Sequence, residues 1–280
     1  MIQLAPDTLT QLSIVLGPYL NSNFVTSLVG AGAGACAGAY AAQKIAARTL
    51  ERSELLNEIR TTATSFNLAV LICNTTLGLK AQHIQQLKST YDRQKSEVQE
   101  ILRKRAAGEL PPDFQWEFAA NLQTLSPVAT PIEQLQNLVF EKSTNSRRAI
   151  ILVSMLTQAE RFLNTSLNER TRLIEEYRAS GPHSQAQLFQ FYFALRDERG
   201  TIDDRFGTNL TAIYRFTDDC IYFSKALAET LSTNGRRLEE RFKRECRGSA
   251  PSVGILKIES EEHLKALPDA KEYSTWDAVK

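Results

Sequence analysis

Charge is what the first part of this sequence lacks. Asp7 is the only Asp, Glu, Lys or Arg before Lys44, so residues 8–43 form a 36-residue stretch without a charged side chain. All 33 basic and 31 of the 32 acidic side chains lie in 44–280. The chain as a whole is nearly neutral at +1, which gives no electrostatic case for nucleic acid as a partner. Cysteine is also scarce. Cys36, Cys73, Cys220 and Cys246 show no C-x-x-C spacing, which excludes a disulfide scaffold and fits a reducing compartment. His83, His183 and His263 lie far apart and have no His or Cys at i±3 or i±4, so neither a metal nor a cofactor is expected. No Ser/His/Asp arrangement has supporting motif context, and no catalytic residue is assigned.

Proline is missing from three long stretches, 19–110, 132–181 and 183–250. Its absence permits long helices, and its clusters mark turns. Apolar spacing supports helix in each. In the first, Ile59, Ala63, Phe66, Val70, Cys73 and Leu77 step by four and three, and the seam resumes at Ile84, Tyr91, Val98 and Leu102. In the third, Phe206, Leu210, Ile213, Thr217, Cys220, Ser224, Leu227 and Leu231 do the same, continued by Leu238 and Phe242. Such heptad-like seams belong to helices packed nearly side by side. Thr130-Pro131 reads as an N-cap followed by proline at the first helical position. Gly181-Pro182 and Gly248 with Pro251 read as stops.

The pattern therefore predicts an all-α protein in which 44–250 is an elongated antiparallel bundle of three long helices. A short helix over about 113–124, capped by Asp113, covers the first turn. A second short piece spans about 184–198. Residues 251–280 are expected to be a short irregular tail, with Ser252–Ile258 extended and one or two helical turns after it.

The uncharged segment Phe24–Ala42, FVTSLVGAGAGACAGAYAA, is 19 residues long. As a helix it spans ~28 Å, close to the hydrocarbon thickness of a bilayer. Gly30, Gly34 and Gly38 recur every fourth residue, a small-xxx-small face that lets two helix backbones approach closely. Lys44, Arg48 and Arg52 follow it, and no Lys or Arg precedes it. Together these predict an N-terminal tail (1–23, with 8–20 lying along the interface or packing back), a transmembrane helix (24–43) and a cytoplasmic bundle, by the positive-inside rule. Self-association through the glycine face makes a homo-oligomer the expected state. An anchor and a pore-lining helix share this signature.

Other readings compete for the segment. Gly30-x-Gly32-x-x-Ala35 fits a dinucleotide-binding turn, but the residues that follow are helical and no later strands exist to build a sheet. A cleavable signal peptide would carry its basic residues before the apolar run, not after it. A soluble interaction module with 8–43 buried in its core is the main alternative.

Three features of the bundle carry possible function. Arg236, Arg237, Arg241 and Arg244, with Lys243 and Arg247, form a basic run interspersed with acids. In a three-helix arrangement it falls far from the membrane, near Arg103–Arg105, and could dock a protein partner. Asp218-Asp219 sits mid-helix, where one carboxylate can approach the seam. Finally, Arg178-Ala-Ser-Gly-Pro-His183 has the R-x4-H spacing and resembles the ribonuclease motif of HEPN domains, which are helical bundles. It departs from that motif at Ala179, and Gly181-Pro182 interrupts the helix. The resemblance covers six residues and implies RNA cleavage by Arg178 and His183. The favoured expectation is instead a non-enzymatic, membrane-anchored sensor, scaffold or effector.

Overall fold

A computed structural model describes residues 23–111, 114–142, 146–196, 199–246 and 248–277. Within them every regular element is helical. Helix α1 (Asn23–Leu79) passes through a five-residue π segment (Lys80–Ile84) into α2 (Gln85–Ala106) without a break. Then come α3 (Ile132–Lys142), α4 (Arg147–Ala179), α5 (Gln185–Phe193), α6 (Arg205–Cys246), α7 (Glu261–Ala266), a 3-10 turn (Ala270–Tyr273) and α8 (Ser274–Asp277). Asp113 and Arg247 lie outside the described residues, as do residues 8–20.

The seams read from the sequence are the core. Ile59, Phe66, Cys73, Leu77, Ile84, Tyr91 and Val98 are buried on the α1–α2 side. Phe206, Leu210, Ile213, Thr217, Cys220, Ser224, Leu227, Leu231 and Phe242 are buried on α6. Helix α6 is the centre of the molecule and packs along both α1 and α4. The shorter α3 closes the remaining side between α1 and α4.

Directions follow from side-chain neighbours. Cys73 adjoins Ser224, and Lys80 pairs with Asp218, so α6 runs antiparallel to α1. Asn209 donates to the Ser166 carbonyl (2.9 Å) and Phe162 lies against Phe216, so α6 also opposes α4.

The second proline-free stretch, 132–181, holds two helices, α3 and α4, where one long helix was expected, and the short helix expected over about 113–124 is absent from its described residues. Residues 114–131 form no helix and run as extended chain back along α4. Asn164 clamps the Val128 backbone at both N–H (2.7 Å) and C=O (3.0 Å). Arg170, fully buried, donates to the carbonyls of Asn121 (3.0 Å) and Gln123 (3.1 Å). Thr130 does not cap α3. Its hydroxyl donates to Glu160 (2.6 Å), and Pro131 supplies the first carbonyl, to Leu135 N–H. The extended segment and α3 thus make a fourth pass along the bundle, and every later helix points the opposite way from a three-pass arrangement.

The C-terminal tail is not peripheral. Val253, Ala266 and Tyr273 are buried. Gly254 sits where a side chain would come within 2.7 Å of Phe66. Ser232 donates to the Gly254 carbonyl (2.8 Å), and Val253 N–H donates to Glu239 (2.6 Å). Beyond α7, Tyr273 stacks on Tyr222 (4.1 Å) and Trp276 meets Phe223 edge-on.

Candidate functional site

Residues 27–54 of α1 are exposed on every side. The first buried position is Leu55. Of the exposed residues, 27–44 project ~27 Å beyond the end of α6 as described. Leu28 is 62% exposed and Tyr40 68%. A side chain built at Gly30, Gly34 or Gly38 would meet no atom within 4 Å, so no described residue covers the glycine face.

That arrangement is costly in water. Each helical glycine is less favourable than alanine by about 1 kcal/mol, so the four between Gly30 and Gly38 cost about 4 kcal/mol. No tertiary contact offsets them. A bilayer reverses the preference, because an unpaired backbone group in hydrocarbon costs several kcal/mol and helix is the single-segment solution.

One described helix, Ser27–Ala106, is long and apolar enough to cross a membrane by length and composition. Its most apolar stretch is 44% buried, which places that stretch in the bundle core and not in 27–54. Hydropathy alone thus picks the core half of α1. Exposure and the absence of charge single out the Gly/Ala half.

Lys44, Arg48 and Arg52 are exposed at the base of the projection. The basic end of α6 lies beside them. Arg52 sits over the Phe242 ring (5.9 Å), Arg241 reaches Glu51 (4.0 Å), and Ile45, Arg48, Arg52, Arg244 and Cys246 line one cleft of about 530 Å³. The expected neighbourhood of Arg236–Arg244 with Arg103–Arg105 is therefore incorrect. From Arg52 to Arg103 is 51 residues of near-continuous helix, ~75 Å. The extra pass through 114–142 is the reason.

Halfway along, Lys80, the first residue of the π segment, lies inside the bundle and forms an ion pair with Asp218. Its ammonium also lies over the Tyr214 ring (4.7 Å). Burial raises the Asp218 carboxyl above its ordinary range against the pull of Lys80. Burial likewise raises Asp219, which accepts from the Tyr273 hydroxyl (2.7 Å). A cleft of about 670 Å³ opens here between α6 and the tail, reaching Lys88, Arg215, Asp269 and Glu272. The Asp218-Asp219 pair thus has one member on the seam, opposite Lys80, which occupies the seam position between Leu77 and Ile84.

At the far end, Trp116, Phe118, Phe189, Tyr192, Phe193 and Phe206 form a connected aromatic cluster. A cleft of about 510 Å³ lies between this cluster and Val98, Leu102 and Arg105. Arg178 and His183 serve this end separately. Arg178 donates to the Leu122 carbonyl (3.0 Å). His183 stacks on Tyr177 (3.8 Å) and bonds the Tyr177 backbone. Gly181, with φ of 101°, turns the chain between them. Among the described residues no group of three His, Cys, Asp or Glu side chains could hold a metal ion.

No protein-family model, no curated protein and no solved structure matches this chain, so its function is argued from the geometry alone.

Proposed function

We propose that this is a single-pass membrane protein, anchored by residues 24–43, with 44–280 in the cytoplasm. It acts without catalysis, as a sensor, scaffold or effector, through self-association and a protein partner. The observation that carries the reading is the uncharged Gly/Ala helix that projects, uncovered on every side, from an otherwise well-packed bundle. A core helix would be covered by its own chain. This one needs a second environment, and its ~28 Å of uncharged length suits hydrocarbon. The glycine face then suits a second copy, because close backbone approach is what drives helix association where water is absent.

The rest of the chain fits that role. One helical rod of 84 residues, Asn23 to Ala106, links the projecting segment to the aromatic far end. A partner bound there can act on the membrane helix by a small axial or rotational shift. The π segment is the one irregularity along the described rod, and such bulges often mark positions where helices adjust.

The soluble alternative puts 8–43 in a core. The described residues give 27–43 no cover, which does not favour that reading. For the ribonuclease reading, the separate engagements of Arg178 and His183 offer no support.

Crosslinking of the full chain in membranes tests self-association. The Gly34→Leu variant should lose the crosslinked species while keeping its helical content. An unchanged yield would remove the glycine-face interface.

A further inference from the structure

The geometry points to a second membrane contact that rests on the anchored reading: the C-terminal end of α6, with the base of α1, forms a foot that binds anionic phospholipid. The register carries the argument. Ser224 lies beside Cys73 in antiparallel helices. Twenty residues further along α6, Arg244 is level with about Ser53, and twelve residues along, Arg236 is level with about Thr61. With the hydrocarbon edge at Ala42, the headgroup layer covers the next ~5–7 Å, to about residue 46.

Distance then sorts the cations. Arg48 and Arg52 stand within ~10 Å of the headgroups, and Lys243 and Arg244 at about that distance. This is near the Debye length of ~8 Å at physiological salt. Arg236 and Arg237 stand ~20 Å away, more than two Debye lengths, and are screened. All these side chains are exposed. Between residue 44 and the level of Glu54 the two helices carry Lys44, Arg48, Arg52, Lys243 and Arg244 against Glu51, Glu54 and Glu245. Arg244 is weakly held, at 3.9 Å from Glu245 with three quarters of its side chain in solvent. Among the described residues, Lys44, Arg48 and Lys243 form no ion pair. A surplus of positive charge from two helices, at the depth where lipid headgroups begin, matches a phosphatidylserine-containing leaflet.

The test uses the full chain in vesicles of phosphatidylcholine alone and with ~30 mol% phosphatidylserine, within the range where basic residues respond to surface charge. Hydrogen exchange across Arg241–Cys246 is read in both, and an alkaline carbonate wash reads anchoring separately. Each surface-proximal Lys or Arg is worth roughly fivefold in binding to an anionic leaflet. Exchange should therefore slow at least fivefold in the phosphatidylserine vesicles. The Lys243→Gln/Arg244→Gln variant, or 0.5 M NaCl, should restore the faster rate. Arg236→Gln/Arg237→Gln, equal in charge removed, should not. Equal exchange in the two vesicles, with the chain wash-resistant in both, overturns the foot and leaves the anchor standing. An equal effect of the Arg236/Arg237 variant also overturns it. Release by carbonate from both vesicles overturns the anchor and the foot together.

Discussion

Arg52 lies with its guanidinium 5.9 Å from the centroid of the Phe242 ring, and this contact ties the end of α6 to the base of the projecting helix. Phe242 is fully buried although it lies only four residues before the end of the helix as described. Truncating a buried phenylalanine costs roughly 3–5 kcal/mol, whereas a cation–π contact at this exposure contributes roughly 0.5–1 kcal/mol. Urea denaturation should therefore show Phe242→Ala losing several-fold more stability than Arg52→Gln. Equal losses would mean that the ring is held by the cation and not by the seam.

The glycine face is expected to answer differently. A side chain at position 34 meets no described residue, so Gly34→Leu should leave the melting temperature of the bundle unchanged to within a degree or two. Its effect should be confined to oligomer yield. A lowered melting temperature in dilute detergent, where the chain is monomeric, would show that the face is covered by its own bundle.

The buried ion pair offers a test with a pH sign. Lys80→Met leaves Asp218 buried without its cation, a change that typically costs ~3–5 kcal/mol at neutral pH. Asp218 already sits above its ordinary pKa because of burial. An acid whose folded pKa is raised contributes its stability below the unfolded value and loses it as pH rises through the folded value. The variant should therefore regain stability as pH falls from 7 toward 4, and the Lys80→Met/Asp218→Leu double variant should lose far less than the single one. A pH-independent loss would place the cost in shape and not in charge.

Glu160 tests the same rule without an ion pair. It is buried, accepts from the Thr130 hydroxyl, and burial raises its carboxyl above the ordinary range. Its contribution is fully present below the unfolded pKa near 4.5 and fades as pH climbs past the raised value. Glu160→Gln keeps the acceptor and removes the charge. Thermal melts should show the variant more stable than wild type at pH 7.5 and level with it near pH 4. Wild type more stable at pH 7.5 would contradict this.

The first and third long helices were legible because their evidence is local. Every seam residue from Phe206 to Leu231 is buried, as its four-three spacing requires. Leu102, at the end of the first seam, is exposed because little of the bundle reaches that far. The fourth pass was not legible. Residues 114–131 carry no period, since extended chain held by side chains needs none. Their partners Asn164, Arg170 and Arg178 lie 36 to 56 residues away on α4. The prolines at 111, 112, 127 and 131 argue against a helix there, but not for a full traverse of the bundle. Missing that traverse reversed α6 and sent its basic end to the wrong pole. Lys80 falls on the four-three seam between Leu77 and Ile84, but its partner Asp218 lies 138 residues away, and a local pattern does not pair them.

The most direct measurement is alkaline carbonate extraction of the full chain from membranes, beside an Ala33→Lys/Ala37→Glu variant that places two charges in the middle of 24–43. Two such charges oppose insertion by several kcal/mol on insertion scales. The account expects wild type to stay in the washed pellet and the variant to appear, folded and helical, in the supernatant. Wild type released into the supernatant as a water-soluble protein would contradict the anchor.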